Sequence, residues 1–196
     1  MADHRLRPPL TEAGARALRA GDRVTLDGTI IGLRDGTLIE MFDRHRASPW
    51  DLGGSVVLHT APSVRKVGDR YEPVVVGTTT STRMERFTRP LMAQYGVRAI
   101  IGKGGLLEDS VAAMGELGGV YLAIVGGAAA LETTQIEAIE EVAFEDLMPE
   151  CLWKFRVSGL GPLTVAIDSH GRNLYAEVKE QARGRLADLY RRIEGR

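Results

Sequence analysis

The chain has 196 residues, the size of one ordinary domain, and its 25 Lys and Arg against 26 Asp and Glu leave a net charge of −1. That balance removes the electrostatic case for a dedicated nucleic-acid binder, and no run approaches the roughly 18–20 apolar residues of a membrane span. The segment MADHRLRPPLTEAG has no apolar stretch of the secretory kind, and the single cysteine, Cys151, can neither form an internal disulfide nor by itself hold zinc or an iron–sulfur cluster, so a cytoplasmic protein is expected.

In chain order, Thr11 reads as the N-cap of a short helix stopped at Gly21. Arg23–Leu26 and Thr29–Leu33 read as two short strands about an Asp27-Gly28 turn, and 34–46 has apolar residues at helical spacing. SVVLH (55–59) is a buried-type strand, Val67-Gly68-Asp69 a turn, and EPVVV (72–76) a second apolar strand. A helix is predicted over 83–95, ended by Gly96, followed by the strand VRAII (97–101) and the glycine group at 102–105. The rhythm repeats with a helix at 106–117, the strand VYLAIV (120–125) and a Gly126-Gly127 turn. Glu132–Glu141 reads as a Glu-rich helix with a solvated face, and 142–144 as a short edge strand. Trp153–Val157 and Leu163–Ile167 are strands about the turn signal SGLGP, and 173–193 is a long amphipathic helix. With aromatic residues at 6%, the core must come from Val, Ile, Leu and Ala. Early strands joined by turns and later strands alternating with helices predict a single α/β domain over 1–196 with a mixed, partly parallel sheet.

Three segments share one grammar, an apolar strand ending in small or polar residues before a helix: VVVGTTTSTRMERF (74–87), AIIGKGGLLEDS (99–110) and AIVGGAAALETT (123–134). Ligands of open α/β sheets bind beyond the carboxyl ends of the strands. Free N–H groups at helix starts, with Arg83 and Lys103, would there make an anion site. Taken singly, each piece has a plainer explanation: a Thr/Ser run can be a cap, Arg83 a surface residue, Gly104-Gly105 a tight turn. Known phosphate motifs fail, because Val97 stands where a P-loop needs its first glycine and Leu107 where the dinucleotide fingerprint needs its last.

The run GTTTSTRMERF with IGKGG about twenty residues on, together with DGTIIGLRD (27–35), LHTAPSVRKVGDRYEPVVVG (58–77), TQIEAIEEV (134–142) and GPLTVAIDSHGRNLY (161–175), resembles the β subunit of class I, iron–sulfur-dependent hydro-lyases, the tartrate dehydratase and class I fumarase family. The match runs in order along nearly the whole chain. The resemblance implies a swivelling β/β/α domain that works with a larger α subunit, in which three cysteines hold a [4Fe–4S] cluster whose free iron acts as Lewis acid toward the leaving hydroxyl. It implies reversible addition or removal of water on a four-carbon dicarboxylate, tartrate first and malate or fumarate second. Carried over by motif, Thr79 is the base, and Arg34, Arg83 and Lys103 bind the substrate carboxylates, with Gly102 and Gly104 as backbone contacts. The base requires activation by an aspartate of the α part, so the chain alone is expected to be inactive. Two positions depart from the family pattern: Leu38 stands where the family has histidine, and Thr78 where it usually has proline.

Among other residues, His59 could face the cleft or be structural, and His170 in the turn-like DSHGRN is a weaker site candidate. No His/Cys/Glu spacing suggests zinc, and Ser158 lies outside a G-x-S-x-G elbow. The alternative to a hydro-lyase subunit is a non-catalytic small-anion-binding or assembly module of the same fold, which Leu38 favours. A stand-alone enzyme of phosphate ligands is weaker, given the failed glycine motifs.

Overall fold

The computed structural model describes residues 1–125 and 129–194, apart from the side chains of 129, 130 and 187. In chain order the elements are β1 (Asp3–Leu6), α1 (Glu12–Ala17), β2 (Arg23–Leu33), α2 (Asp35–Leu38) running into a π-helical turn at Ile39–Asp43, β3 (Val56–His59), β4 (Ser63–Val67) and β5 (Arg70–Val75). A 3-10 turn at Ser81–Met84 leads into α3 (Glu85–Tyr95), followed by β6 (Ala99–Gly102), α4 (Glu108–Leu117), β7 (Val120–Ala123), α5 (Ala129–Thr134), β8 (Ile136–Ala143), β9 (Leu152–Ile167) and α6 (Leu174–Glu194).

Seven strands form one mixed sheet in the order β1-β2-β3-β6-β7-β9-β8. The first five pair in parallel, while β9 runs antiparallel to β7, β8 and β2. Because β2 pairs with β3 on one side and β9 on the other, β2, β3, β6, β7 and β9 close into a ring. Successive residues of a strand point to opposite faces, so the ring divides the core in two. Val56, Leu58, Ala99, Ile101, Val120 and Leu122 turn toward one cluster with Leu160, Leu163 and Val165. Val57, Ile100 and Tyr121 turn the other way, toward Phe87, Leu91 and Met92 of α3 and Ala113 and Met114 of α4. Burial on both faces is why these short strands read as unbroken apolar runs. Each fully buried large aliphatic side chain contributes about 1.5–3 kcal/mol of transfer free energy.

Thr11 caps α1 as expected, its hydroxyl accepting from the Gly14 N–H at 3.0 Å, although the helix ends at Leu18, short of Gly21. The two strands expected about Asp27-Gly28 are one, since β2 passes through Gly28 with register shifts against β9. The two expected about SGLGP are likewise one sixteen-residue strand, β9. The apolar run at 72–76 is not a buried strand. It belongs to the β4–β5 hairpin, where Val74 and Val75 are exposed and only Val76 beyond it is fully buried. Neither β4 nor β1 was signalled by the sequence.

The helix expected over Glu132–Glu141 is corrected: α5 ends at Thr134 and the rest is β8. Ile136, Ile139 and Val142 recur every three residues, which imitates a helical face. Register shifts between Ile136 and Ala138 and between Ile139 and Glu141 each insert an extra residue, so all three can face the core from a strand. The Glu137–Glu141 run is solvated, as expected, but from a sheet edge. The Gly126-Gly127 turn lies outside the described residues. The C-terminal helix is observed and leaves Val178, Leu186, Leu189, Tyr190 and Ile193 exposed. Among the described residues no helix is long and apolar enough to cross a membrane.

Candidate functional site

β2, β3 and β6 run in one direction, so their carboxyl ends share one rim. There the chain from Thr78 to Ser81 is stitched between two strand ends. The Thr60 N–H donates to the Leu33 carbonyl at 3.0 Å, the Thr79 N–H to the His59 carbonyl at 2.8 Å, and the Ser81 N–H to the Lys103 carbonyl at 2.9 Å. Single bridges join Thr60 to Thr78 and Thr80 to Lys103. The backbones of Thr78 and Thr79 are therefore fixed from the end of β3, and those of Thr80 and Ser81 from the end of β6. Arg34 follows the last residue of β2 directly, and Arg83 lies in the turn that begins at Ser81.

Beneath this segment lies a buried polar network. The Ser81 Oγ stands 2.9 Å from His59 Nδ1 and accepts from the Tyr121 hydroxyl at 3.0 Å. Gly102 makes room for it, because a Cβ there would stand 1.9 Å from Ser81 Oγ and 3.0 Å from Tyr121 Oη. Gly104 has φ +80°, a conformation that favours glycine, and passes close to Thr80. Burial pushes the His59 imidazole down to about 4, against a weaker pull from Asp35, so the ring is neutral at neutral pH. Burial also raises the Tyr121 phenol. The network is uncharged, and it supports the rim without adding charge to it.

The charge comes from the rim itself. Arg34 Nε lies 3.0 Å from Asp35 Oδ2 and 3.5 Å from Glu150 Oε1. Arg83 Nη2 lies 3.3 Å from the same Asp35 oxygen, so one carboxylate joins both arginines. Glu150 is itself held by the Gly36 N–H at 2.6 Å. Lys103 is half-buried and makes no ion pair among the described residues. Its field reaches Glu132, which is 3% exposed with a buried Oε2 that has no hydrogen-bond partner. Burial drives that carboxyl up to about 7, with Lys103 pulling the other way.

Arg34, Thr79, Arg83 and Lys103 thus lie along one rim, with Gly102 and Gly104 in its floor. Leu38 is elsewhere, fully buried in the core cluster that faces α3 and α4. His59 points inward to Ser81, and His170 binds the Arg16 carbonyl at 2.9 Å in a turn organised by Asp168. The larger clefts are not lined by Arg34, Thr79, Arg83 or Lys103: one of about 1080 Å³ lies between α4 and α6, and one of about 730 Å³ between the hairpin and β8. Residue reading missed Asp35, Glu150, Ser81, Tyr121 and Glu132 as parts of this region. Asp35 and Ser81 could have been found beside their motifs, but Glu150 lies 114 residues from the Gly36 amide it holds and leaves no local signal.

The donor set does not fit an iron–sulfur cluster. Among the described residues no three His, Cys, Asp or Glu side chains gather as a metal site. The one thiol, Cys151, is buried against Met148, and burial pushes it up to about 11, away from the thiolate a cluster needs.

Comparison with known proteins adds the following. Residues 3–178 match the family described as Fumarase C-terminus. The chain is 41% identical over 176 residues to the L(+)-tartrate dehydratase subunit beta of Escherichia coli K12, covering 89% of this chain and 88% of that one. It is 37% identical over 185 residues to the putative L(+)-tartrate dehydratase subunit beta of Methanocaldococcus jannaschii, covering 92% and 95%. It is 35% identical over 186 residues to a putative fumarate hydratase class I of Geobacillus stearothermophilus, covering 94% of this chain but 36% of that protein.

Proposed function

The chain belongs to the Fumarase C-terminus family and is a hydro-lyase subunit; from that premise we propose that it is the β subunit of a heteromeric iron–sulfur hydro-lyase acting in the cytoplasm on a C4 dicarboxylate, L-tartrate first and malate or fumarate second. The observation that carries this reading is that Asp35 joins Arg34 and Arg83 at the rim formed by the carboxyl ends of β2, β3 and β6, where the backbones of Thr79 and Lys103 are also anchored. Two substrate carboxylates need more than one cation, and arginine can hold a carboxylate through two parallel hydrogen bonds. Arg34 and Arg83, already aligned by Asp35, grip one end of the substrate, and Lys103 the other. The Thr79 oxygen, its own proton passed to a neighbour, then takes the proton from the carbon beside the one that loses hydroxyl; the C–H electron pair forms the double bond, and the departing hydroxide and that proton together make up the water lost. Water leaves, and with tartrate the resulting enol becomes oxaloacetate.

A threonine hydroxyl of ordinary pKa is a weak base and needs a neighbour to accept its proton. The rim's own carboxylates, Asp35 and Glu150, are engaged with Arg34. That neighbour, like the cluster, for which no ligand set gathers among the described residues, is assigned to the α subunit. The proportion of the Geobacillus protein that this chain matches supports the division, since about two thirds of that relative lies beyond the match.

The test uses the complex with a cluster-bearing partner, handled without oxygen. Thr79→Ala is expected to lower kcat by about 10²–10⁴, as for loss of a positioned proton acceptor, with KM within a few-fold. Unchanged kcat would overturn the role of Thr79. Turnover by this chain alone would overturn the shared site.

One observation favours a second reading, that of a non-catalytic small-anion module. Leu38, at the position of the family histidine, is fully buried and presents nothing to a ligand. Tartrate binding without turnover by the loaded complex would select it.

A further inference from the structure

Among the described residues, Glu132 is the one buried carboxyl beside the rim for which the mechanism has no use. It is 3% exposed, and its Oε2 has no hydrogen-bond partner. The helix that carries it, α5, is fastened next to the threonine run, because the Val76 N–H donates to Thr133 Oγ1 at 2.8 Å. The charged residues of the strands packed on α5 face solvent: Arg70 and Glu72 from β5, and Glu137, Glu140 and Glu141 from β8. The charge that acts on Glu132 is Lys103, just beyond the end of β6, whose ammonium makes no ion pair, with Glu132 or any other group, among the described residues.

We propose that Glu132 is a positioning residue for Lys103: protonated, it leaves the ammonium free for a substrate carboxylate, and ionised, it holds the ammonium to itself, so that dicarboxylate binding draws one proton onto this chain. The inference rests on the reading of Lys103 as a carboxylate-binding residue. An ionised carboxylate in a dry site without hydrogen bonds is costly, and the lysine is the one charge that offsets the cost. A substrate carboxylate seated on Lys103 cancels that offset and places a second negative charge nearby. Both effects favour protonated Glu132. By reciprocity, protonating Glu132 strengthens substrate binding by the same factor. Burial has already brought the group to about 7, so the exchange falls in the neutral range, whereas substrate carboxyls, with pKa values near about 4, stay ionised.

The experiment is the pH dependence of KM in the assembled holoenzyme between pH 6 and pH 8. For a single linked proton, KM of the wild type is expected to rise by up to about tenfold across that range. Glu132→Gln keeps the shape and cannot ionise, so its KM is expected to be flat. Calorimetry of tartrate binding to the wild-type complex, in two buffers of different ionisation enthalpy, is expected to show uptake of up to about three quarters of a proton near pH 7.5, the share of Glu132 that is still ionised there. A merely structural Glu132 would move neither readout. A wild-type complex that takes up no proton, or a Glu132→Gln profile with the wild-type slope, overturns the proposal. Lys103→Met separates the two readings. If it weakens binding tenfold or more while Glu132→Gln keeps the slope, only the linkage fails; if it leaves KM unchanged, the assignment of Lys103 itself fails.

Discussion

The three short parallel strands and the long antiparallel pair are built on opposite plans. β3, β6 and β7 are four residues each, buried on both faces apart from a half-buried Ala123, with no register shift among them. β8 and β9 span 8 and 16 residues, carry two bulges between them, and show one wet side laced by Glu140–Arg156 and Glu141–Lys154 pairs. Dry strands without bulges cannot slide, because a one-residue slip would turn every buried side chain to the wrong face. Two of the three strand ends that carry the candidate site, those of β3 and β6, belong to such strands. The wet pair supplies enclosure, with its outer face in solvent.

The contrast can be broken at three depths. The largest effect is expected at His59, under the rim. Its folded pKa of about 4 lies below the ordinary 6.5, so between those values the unfolded chain binds a proton that the folded chain does not. The stabilisation is complete above about pH 6.5 and drains away as pH falls toward 4, by about 3 kcal/mol in all. Urea unfolding from pH 4 to 7 should show this slope in the wild type and lose that share of it in His59→Asn. Equal slopes would mean that the imidazole is not dry.

Gly102→Ala comes next. The added Cβ would collide with Ser81 Oγ inside the same network, and the overpacking is expected to cost about 1–3 kcal/mol. Denaturant unfolding measures it, and no change would show that Ser81 has room to turn aside. The smallest effect belongs to the wet pair. Lys154 lies 2.7 Å from Glu141, a half-exposed carboxylate, and Glu141→Gln should shift stability by less than about 1 kcal/mol, less still in high salt. A larger loss would make β8 part of the rigid frame.

The same division governs what could be read from the sequence. Unbroken apolar runs announced β3, β6 and β7, and Gly96 ended α3 where expected. In the antiparallel pair the local rules misled. Bulges turned Ile136, Ile139 and Val142 into a false helical period, and a strand that continues through Gly159 and Gly161 looked like two. At the rim, Arg83 and Lys103 could be suspected from residue chemistry. Arg34 and Thr79 emerged through resemblance to a family, since a lone arginine or threonine says nothing by itself. What aligns them was hidden. Asp35 lies 48 residues from Arg83, and Glu150 reaches Arg34 only after folding. Contacts made across such distances in the chain have no local pattern to betray them.

The closure of β2 onto both β3 and β9 carries one more consequence. A hoop has no loose stave, so Arg34, at the tip of its shared stave, cannot be re-aimed by sliding one strand against its neighbour. Any retuning of what the arginine grips must come from the residues beyond the stave, in the turn that begins with Asp35.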